Sequence, residues 1–150
     1  MRRFVVVSVL FLSALLGHRI LLSCLPDGEA HAEVLLQEQL ETYKDPAARQ
    51  DQRARLRQFN PEWDFMQRTF LLLSLADLAL DQPDRQAELI GLMDEIIAET
   101  LADEARHGHR YFLLSYADRE AFIDPQERSI FVDGEIALML GARRLVEDDE

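Results

Sequence analysis

Four groups of residues in this 150-residue chain have types and spacings suited to chemistry. Asp133 and Glu135 are two acids at the start of a helical stretch, where paired carboxyls can divide general acid and base work. They are the candidate catalytic residues, and the same acids also complement the positive end of a helix. The aromatic-rich connection before them supplies a phenol, an imidazole and a guanidinium in Tyr116, His109 and Arg128, and these are the candidate binding residues. Glu104 and His107 have the Glu-x-x-His spacing of di-iron bundles. Such a site needs a second pair of this kind and two further carboxylates, so no metal is assigned and His107 is read as a helix-end residue favoured by the dipole. Cys24 is the single cysteine, which leaves no internal disulfide and no cysteine-based metal site. In Leu21-Leu22-Ser23-Cys24 it holds the position that a bacterial lipobox lipidates. No serine-histidine-acid order, glycine-rich phosphate loop or nucleophile elbow is present. The sequence therefore calls for no cofactor and leaves enzymatic activity open.

Charge narrows the partners. There are 28 acidic against 16 basic residues, a net charge of −12, and Lys44 is the only lysine. Phosphate binding needs lysine and arginine clustered on a face, so nucleic acid is not expected. Arg49, Arg53, Arg55 and Arg57 form the one basic cluster beyond the leading segment. They suit either ion pairs with the acidic remainder or contact with anionic headgroups.

The elements that must position these residues begin with a leader. Arg2 and Arg3 precede the apolar stretch Phe4 to Gly17, the pattern of a signal-peptide core. Ala30-His31-Ala32 offers the small residues a signal peptidase requires. If uncleaved, residues 4–25 are about long enough to span a membrane, with Arg19 toward the far interface. Cleavage after Ala32, lipidation at Cys24 and a retained anchor all place the rest of the chain in the cell envelope, in the inner membrane or periplasm. The chain divides into a signal peptide or anchor (1–32), a polar helical connector (33–59) and a helical-hairpin domain (60–150).

The densest apolar run after the leader is NPEWDFMQRTFLLLSLADLAL, from Asn60 to Leu80. Asn60 can cap a helix, Pro61 suits its first position, and Glu62 and Asp64 favour its positive end. Trp63, Met66, Phe70 and Leu73 fall on one face, and Asp77 interrupts the run either as a buried acid with a raised pKa or as a solvent-facing edge. Pro83 ends this helix and opens a second, running to His107 with an apolar stripe through Leu89, Met93, Ile96 and Thr100. So short a link makes the two an antiparallel hairpin. A last helix runs from Phe131 to Val146, with Gly134 and Gly141 placed for close helix packing. The fold class is all-α.

NPEWDFMQRTFLLLSLADLAL and RSIFVDGEIALMLGARRLV resemble the early repeats of bacterial α/α-toroid proteins, and among these the linalool dehydratase/isomerase-like and six-hairpin glycosidase-like groups. The resemblance covers Asn60 to Val146 and implies helical hairpins ringed about a cavity, with Asp133 and Glu135 near its end; it carries over no catalytic residue. Six hairpins need several hundred residues and this chain supplies about two. The expectation is therefore the N-terminal part of a toroid without a complete active site. The alternatives are an acidic envelope bundle that binds another protein, or an enzyme using Asp133 and Glu135.

Overall fold

A computed structural model describes residues 28–119 and 121–147. The leader readings at residues 4–25 and at Cys24 lie outside these residues. Every regular element among them is helical. None is long and apolar enough to cross a membrane. The chain falls into two compact units, Met1–Leu40 and Glu41–Glu150. Helix α1, Gly28–Lys44, runs across that division, and Ala30-His31-Ala32 lies within it.

The second unit is built from helices whose ends are written locally. Helix α2, Pro46–Phe59, starts where Asp45 Oδ1 accepts the Ala47 amide at 2.9 Å and Pro46 takes the first turn. Helix α3, Pro61–Asp81, repeats the device: Asn60 Oδ1 accepts the Glu62 amide at 2.9 Å, with Glu62 and Asp64 in the first turn. A 3-10 turn, Pro83–Arg85, leads into helix α4, Gln86–His107. Gly108, at φ 72°, closes α4 in a left-handed conformation that only glycine adopts freely. Two further 3-10 turns, His109–Phe112 and Ser115–Asp118, cross to helix α5, Ile130–Val146.

Helices α3, α4 and α5 each pack on the other two, and α2 lies along α3. Arg68, early in α3, meets Thr100 and Asp103, late in α4, so the pair is the expected antiparallel hairpin. Phe65 and Phe131, each in the first turns of its helix, meet edge to face at 5.9 Å, so α3 and α5 run parallel. Gln86 Nε2, at the start of α4, donates to the carbonyl of Val146 at the end of α5. Leu72, Leu75, Leu89, Met93, Ile96 and Met139 fill the space between the three helices.

The buried side of α3 is not the face marked by Trp63 and Phe70. Trp63 and Phe70 are exposed, while Asp64, Phe65, Arg68 and Thr69 are buried. The helix turns inward the face on which Asp64 and Arg68 find partners from α2 and α4, and this leaves Trp63 and Phe70 outside. Asp77 faces solvent, as do Ser74 and Leu80 of the same run, and Ser74 returns its hydroxyl to the Phe70 carbonyl at 2.9 Å.

Candidate functional site

Arginines of α2 form the first polar assembly. Arg49 pairs with Glu95 and Glu99 of α4 at 3.3 and 3.1 Å, and Arg53 with Asp103 at 2.6 Å. The basic cluster of the sequence is thus neutralised by the acidic remainder. Arg57 lies over the Tyr111 ring at 3.5 Å and donates to the Tyr111 carbonyl at 2.9 Å. Beneath them Asp64 holds Arg68 at 2.8 Å, and Arg68 reaches Asp103 at 2.9 Å. A cavity of about 20 Å³ adjoins Asp64, Arg68, Tyr43 and Glu99, room for one water beside Asp64 Oδ1, which has no hydrogen-bond partner among the described residues. Four arginines face Asp64, Glu95, Glu99 and Asp103 across this layer. Balanced in this way it is a structural joint rather than an anion site.

Tyr43 seals one end of the layer, its hydroxyl donating to Glu99 at 3.3 Å. Burial first, and then the Glu99 charge, push the phenol well above its ordinary value, against the opposing pull of Arg49. The folded chain therefore keeps a proton that the unfolded chain releases near pH 10. The stability so contributed is whole below that pH and falls as pH rises toward the folded pKa. Denaturation midpoints at pH 8 and pH 11 are expected to drop less for Tyr43→Phe than for the native chain; an equal drop would refute this.

The second assembly lies at the end of α4 and contains most of the sequence candidates. Gly108 turns His109 inward, where the ring is buried. Its Nδ1 accepts the Ser129 amide at 2.7 Å, which places the ring proton on Nε2, directed at Glu104 Oε1 at 3.0 Å. Asp133 Oδ1 stands 3.9 Å from the same nitrogen. Arg128 closes the group, hydrogen-bonded to both Asp133 oxygens and 3.6 Å from Glu104. That hydrogen bond holds the Asp133 carboxyl below the usual carboxylate range and the Arg128 guanidinium above its own. An acid kept ionised in this way is a poor proton donor at neutral pH.

Glu104, His109 and Asp133 bring three ligand atoms within 4.8 Å of one another, a spacing a metal ion could bridge. The donor chemistry does not fit. A ligating histidine offers one nitrogen to the metal and donates its other N–H to an acceptor, but here the other nitrogen faces a backbone N–H. The Arg128 guanidinium already provides positive charge at the two carboxylates. The cluster reads as a clasp tying the end of α4 to the start of α5. His107, the partner in the Glu-x-x-His spacing, is exposed and stacks on Tyr111 at 4.5 Å instead. Glu135 is half-buried and lies roughly 200° around the helix from Asp133, so the two acids do not share a face.

Tyr116 belongs to a different arrangement. Its hydroxyl donates to Glu62 Oε1 at 2.6 Å, and the same oxygen accepts the Leu114 amide at 3.2 Å, tying the loop to the first turn of α3. The hydrogen bond to Glu62 raises the phenol pKa. Tyr116 and Arg128 both line an open hollow of about 820 Å³, with Leu113, Phe122, Ile123 and Ile130. Arg110 holds two of its lining residues, stacking on Phe122 at 4.3 Å and donating to the Ala117 carbonyl. At the lip, Ile123 is 102% and Ile130 92% exposed. The structure thus gathers His109, Arg128 and Asp133 in the clasp, joins Tyr116 to Arg128 only across the hollow, and leaves Glu135 apart. Sequence reasoning missed Glu104 as the partner of His109, because helical spacing pairs Glu104 with His107 and does not tell which way the chain turns after Gly108. It also missed the two lip isoleucines, whose flanks of charge and turn residues signalled exposure.

Comparison with family models, with curated proteins and with solved structures finds no match to this chain.

Proposed function

We propose that this chain is an acidic helical interaction protein of the cell envelope, and that the hollow bounded by Tyr116, Phe122, Ile123 and Ile130 receives an apolar segment of a protein partner. The observation that carries this is the pair of isoleucines at the lip, almost wholly in solvent beside an 820 Å³ apolar recess. Exposed apolar side chains grouped at a concavity are the usual mark of a surface that another molecule covers. The recess is also braced: Glu62 holds Tyr116 and Arg110 holds Phe122, so its walls are fixed before a partner arrives. The envelope placement rests on the leader pattern of Arg2, Arg3 and Phe4 to Gly17. A photocrosslinking residue at Ile123, introduced into the full-length chain in the cells that make it, is expected to yield one discrete adduct. The same residue at exposed Asp51 of α2 should yield none, and Ile130→Asp should abolish the adduct at 123. Equal labelling at both sites would overturn the proposal.

A second reading, the opening part of an α/α toroid, draws support from the α3–α4 hairpin and from the exposed apolar residues Phe70, Leu80, Leu138 and Leu145. The intact mass of the protein from its source cells decides it: a chain several hundred residues longer favours the toroid, in which following hairpins would cover those residues.

A further inference from the structure

Helix α5 is apolar on the side it buries and also on the side it shows. Val132, Ile136, Met139 and Ala142 face the other helices. Yet from Gly134 to Leu145 the exposed positions are Gly134, Ala137, Leu138, Leu140, Gly141, Arg144 and Leu145, with one charge among them. A helix apolar all round is one that is covered all round. In a chain carrying 28 acids, a helix face with no exposed acid over this length is where a second copy meets least repulsion.

The pattern on that face is self-complementary. Gly134, Leu138, Gly141 and Leu145 are spaced four, three and four, the seam spacing of paired helices. Glycines alternate with leucines along it, and a Cβ built on either glycine meets nothing within 4 Å, so each glycine is an open notch beside a leucine knob. Only an antiparallel pairing centred between positions 139 and 140 sets every knob over a notch: Leu138 against Gly141 of the second copy, and Leu145 against its Gly134. A two-fold interface of this kind pairs residue i with j and j with i. Arg144 and Asp133 lie on the same edge of the seam. In this register Arg144 of one copy comes within about 3 Å, along the axis, of the level of Asp133 in the other, an acid that Arg128 already holds, so the one charge on the face is set beside an ion pair rather than beside a like charge alone.

We infer that two copies of this chain associate through α5, antiparallel, in the register that seats Leu138 on Gly141. This surface is separate from the hollow, and its test does not depend on the hollow's partner. Sedimentation of the full-length chain, with and without non-ionic detergent, is expected to show a particle of two chains; one chain at all concentrations would overturn the inference. In a Cys24→Ser background, mixing copies that carry Leu138→Cys with copies that carry Gly141→Cys should give a disulfide-linked pair on mild oxidation. Copies carrying Leu145→Cys should not link to themselves, because antiparallel seating holds those positions about 16 Å apart along the axis. Self-linking at 145 as efficient as the 138–141 link would mean a parallel pair and overturn the register. Gly141→Leu should keep the helical spectrum and cooperative melting, since its side chain enters open space in the single chain, yet leave the protein monomeric. A pair that survives Gly141→Leu, as association through the leading segment would, also overturns the inference.

Discussion

Asp64→Ala is expected to destabilise the protein by about 3–5 kcal/mol, the loss typical when one partner of a buried ion pair is removed. The Asp64 side chain is 1% exposed and holds Arg68 at 2.8 Å, with Arg57 at 3.4 Å and Arg53 at 3.6 Å. Without it the Arg68 guanidinium, itself 5% exposed, keeps Asp103 at 2.9 Å as its only ion-pair partner among the described residues. Arg53 and Arg57 are then also pointed at a site with no charge. The penalty is a buried cation left with one carboxylate in place of two, not a large net worth of the pair. The double variant Asp64→Leu with Arg68→Met should therefore recover most of the loss, because both desolvation costs vanish together. Urea midpoints of the two variants test this, and a double variant as unstable as Asp64→Ala would show the explanation to be wrong.

Phe65→Ala should cost a similar amount, about 3–5 kcal/mol, by a different route. Phe65 is fully buried, 4.5 Å from the Phe112 ring and 5.9 Å from that of Phe131, so one ring joins α3, the turn after α4 and the start of α5. Those neighbours come from two other elements and cannot both collapse into the space left behind, and the cavity adds to the lost transfer energy. Two positions earlier Trp63 is a larger aromatic at 57% exposure, and Trp63→Ala should cost only about 0.5 kcal/mol. Thermal melts that reverse that order would mean that α3 turns its other face inward.

Trp63 and Phe65 show what the sequence made legible and what it hid. Helix starts could be read because caps are local: Asn60, Pro61 and the acids of the next turn lie within a few residues of the atoms they satisfy. The hairpin of α3 and α4 was legible because Pro83 and a short link leave little choice of direction. Which face of α3 turns inward was not, since Trp63, Met66, Phe70 and Leu73 make a convincing stripe by spacing alone. The choice is made by Arg53 and Arg57 from α2 and Asp103 from α4, up to 39 positions away from Asp64, and periodicity carries no record of such partners. The spacing of Asp64 and Arg68, four apart, was the one local hint of a paired interior. At the candidate site, His109, Arg128 and Asp133 could be named from their types and from the loop between them. Gly108 could be read as the stop of α4, but the clasp depends also on the direction of that turn and on the Ser129 amide meeting Nδ1, which no local pattern records. The alternation of glycine and leucine along α5 was visible, but that it points away from the core was not.

Helix α2 has no buried residue. It is held to the rest of its unit chiefly by Arg49, Arg53 and Arg57, through ion pairs and the stacking of Arg57 on Tyr111. Its attachment thus depends on ionic contacts more than on area removed from water, and salt acts on the exposed share of them. As the Debye length contracts from about 8 Å at physiological salt to about 3 Å at 1 M, the more exposed of these contacts weaken while the interior of α3, α4 and α5 does not. Local opening of α2 then becomes the lowest rung on the ladder of unfolding, seen as amide hydrogens that exchange faster with added salt while those of α3 keep their protection. The helix behaves as a strap whose tension the surrounding medium sets.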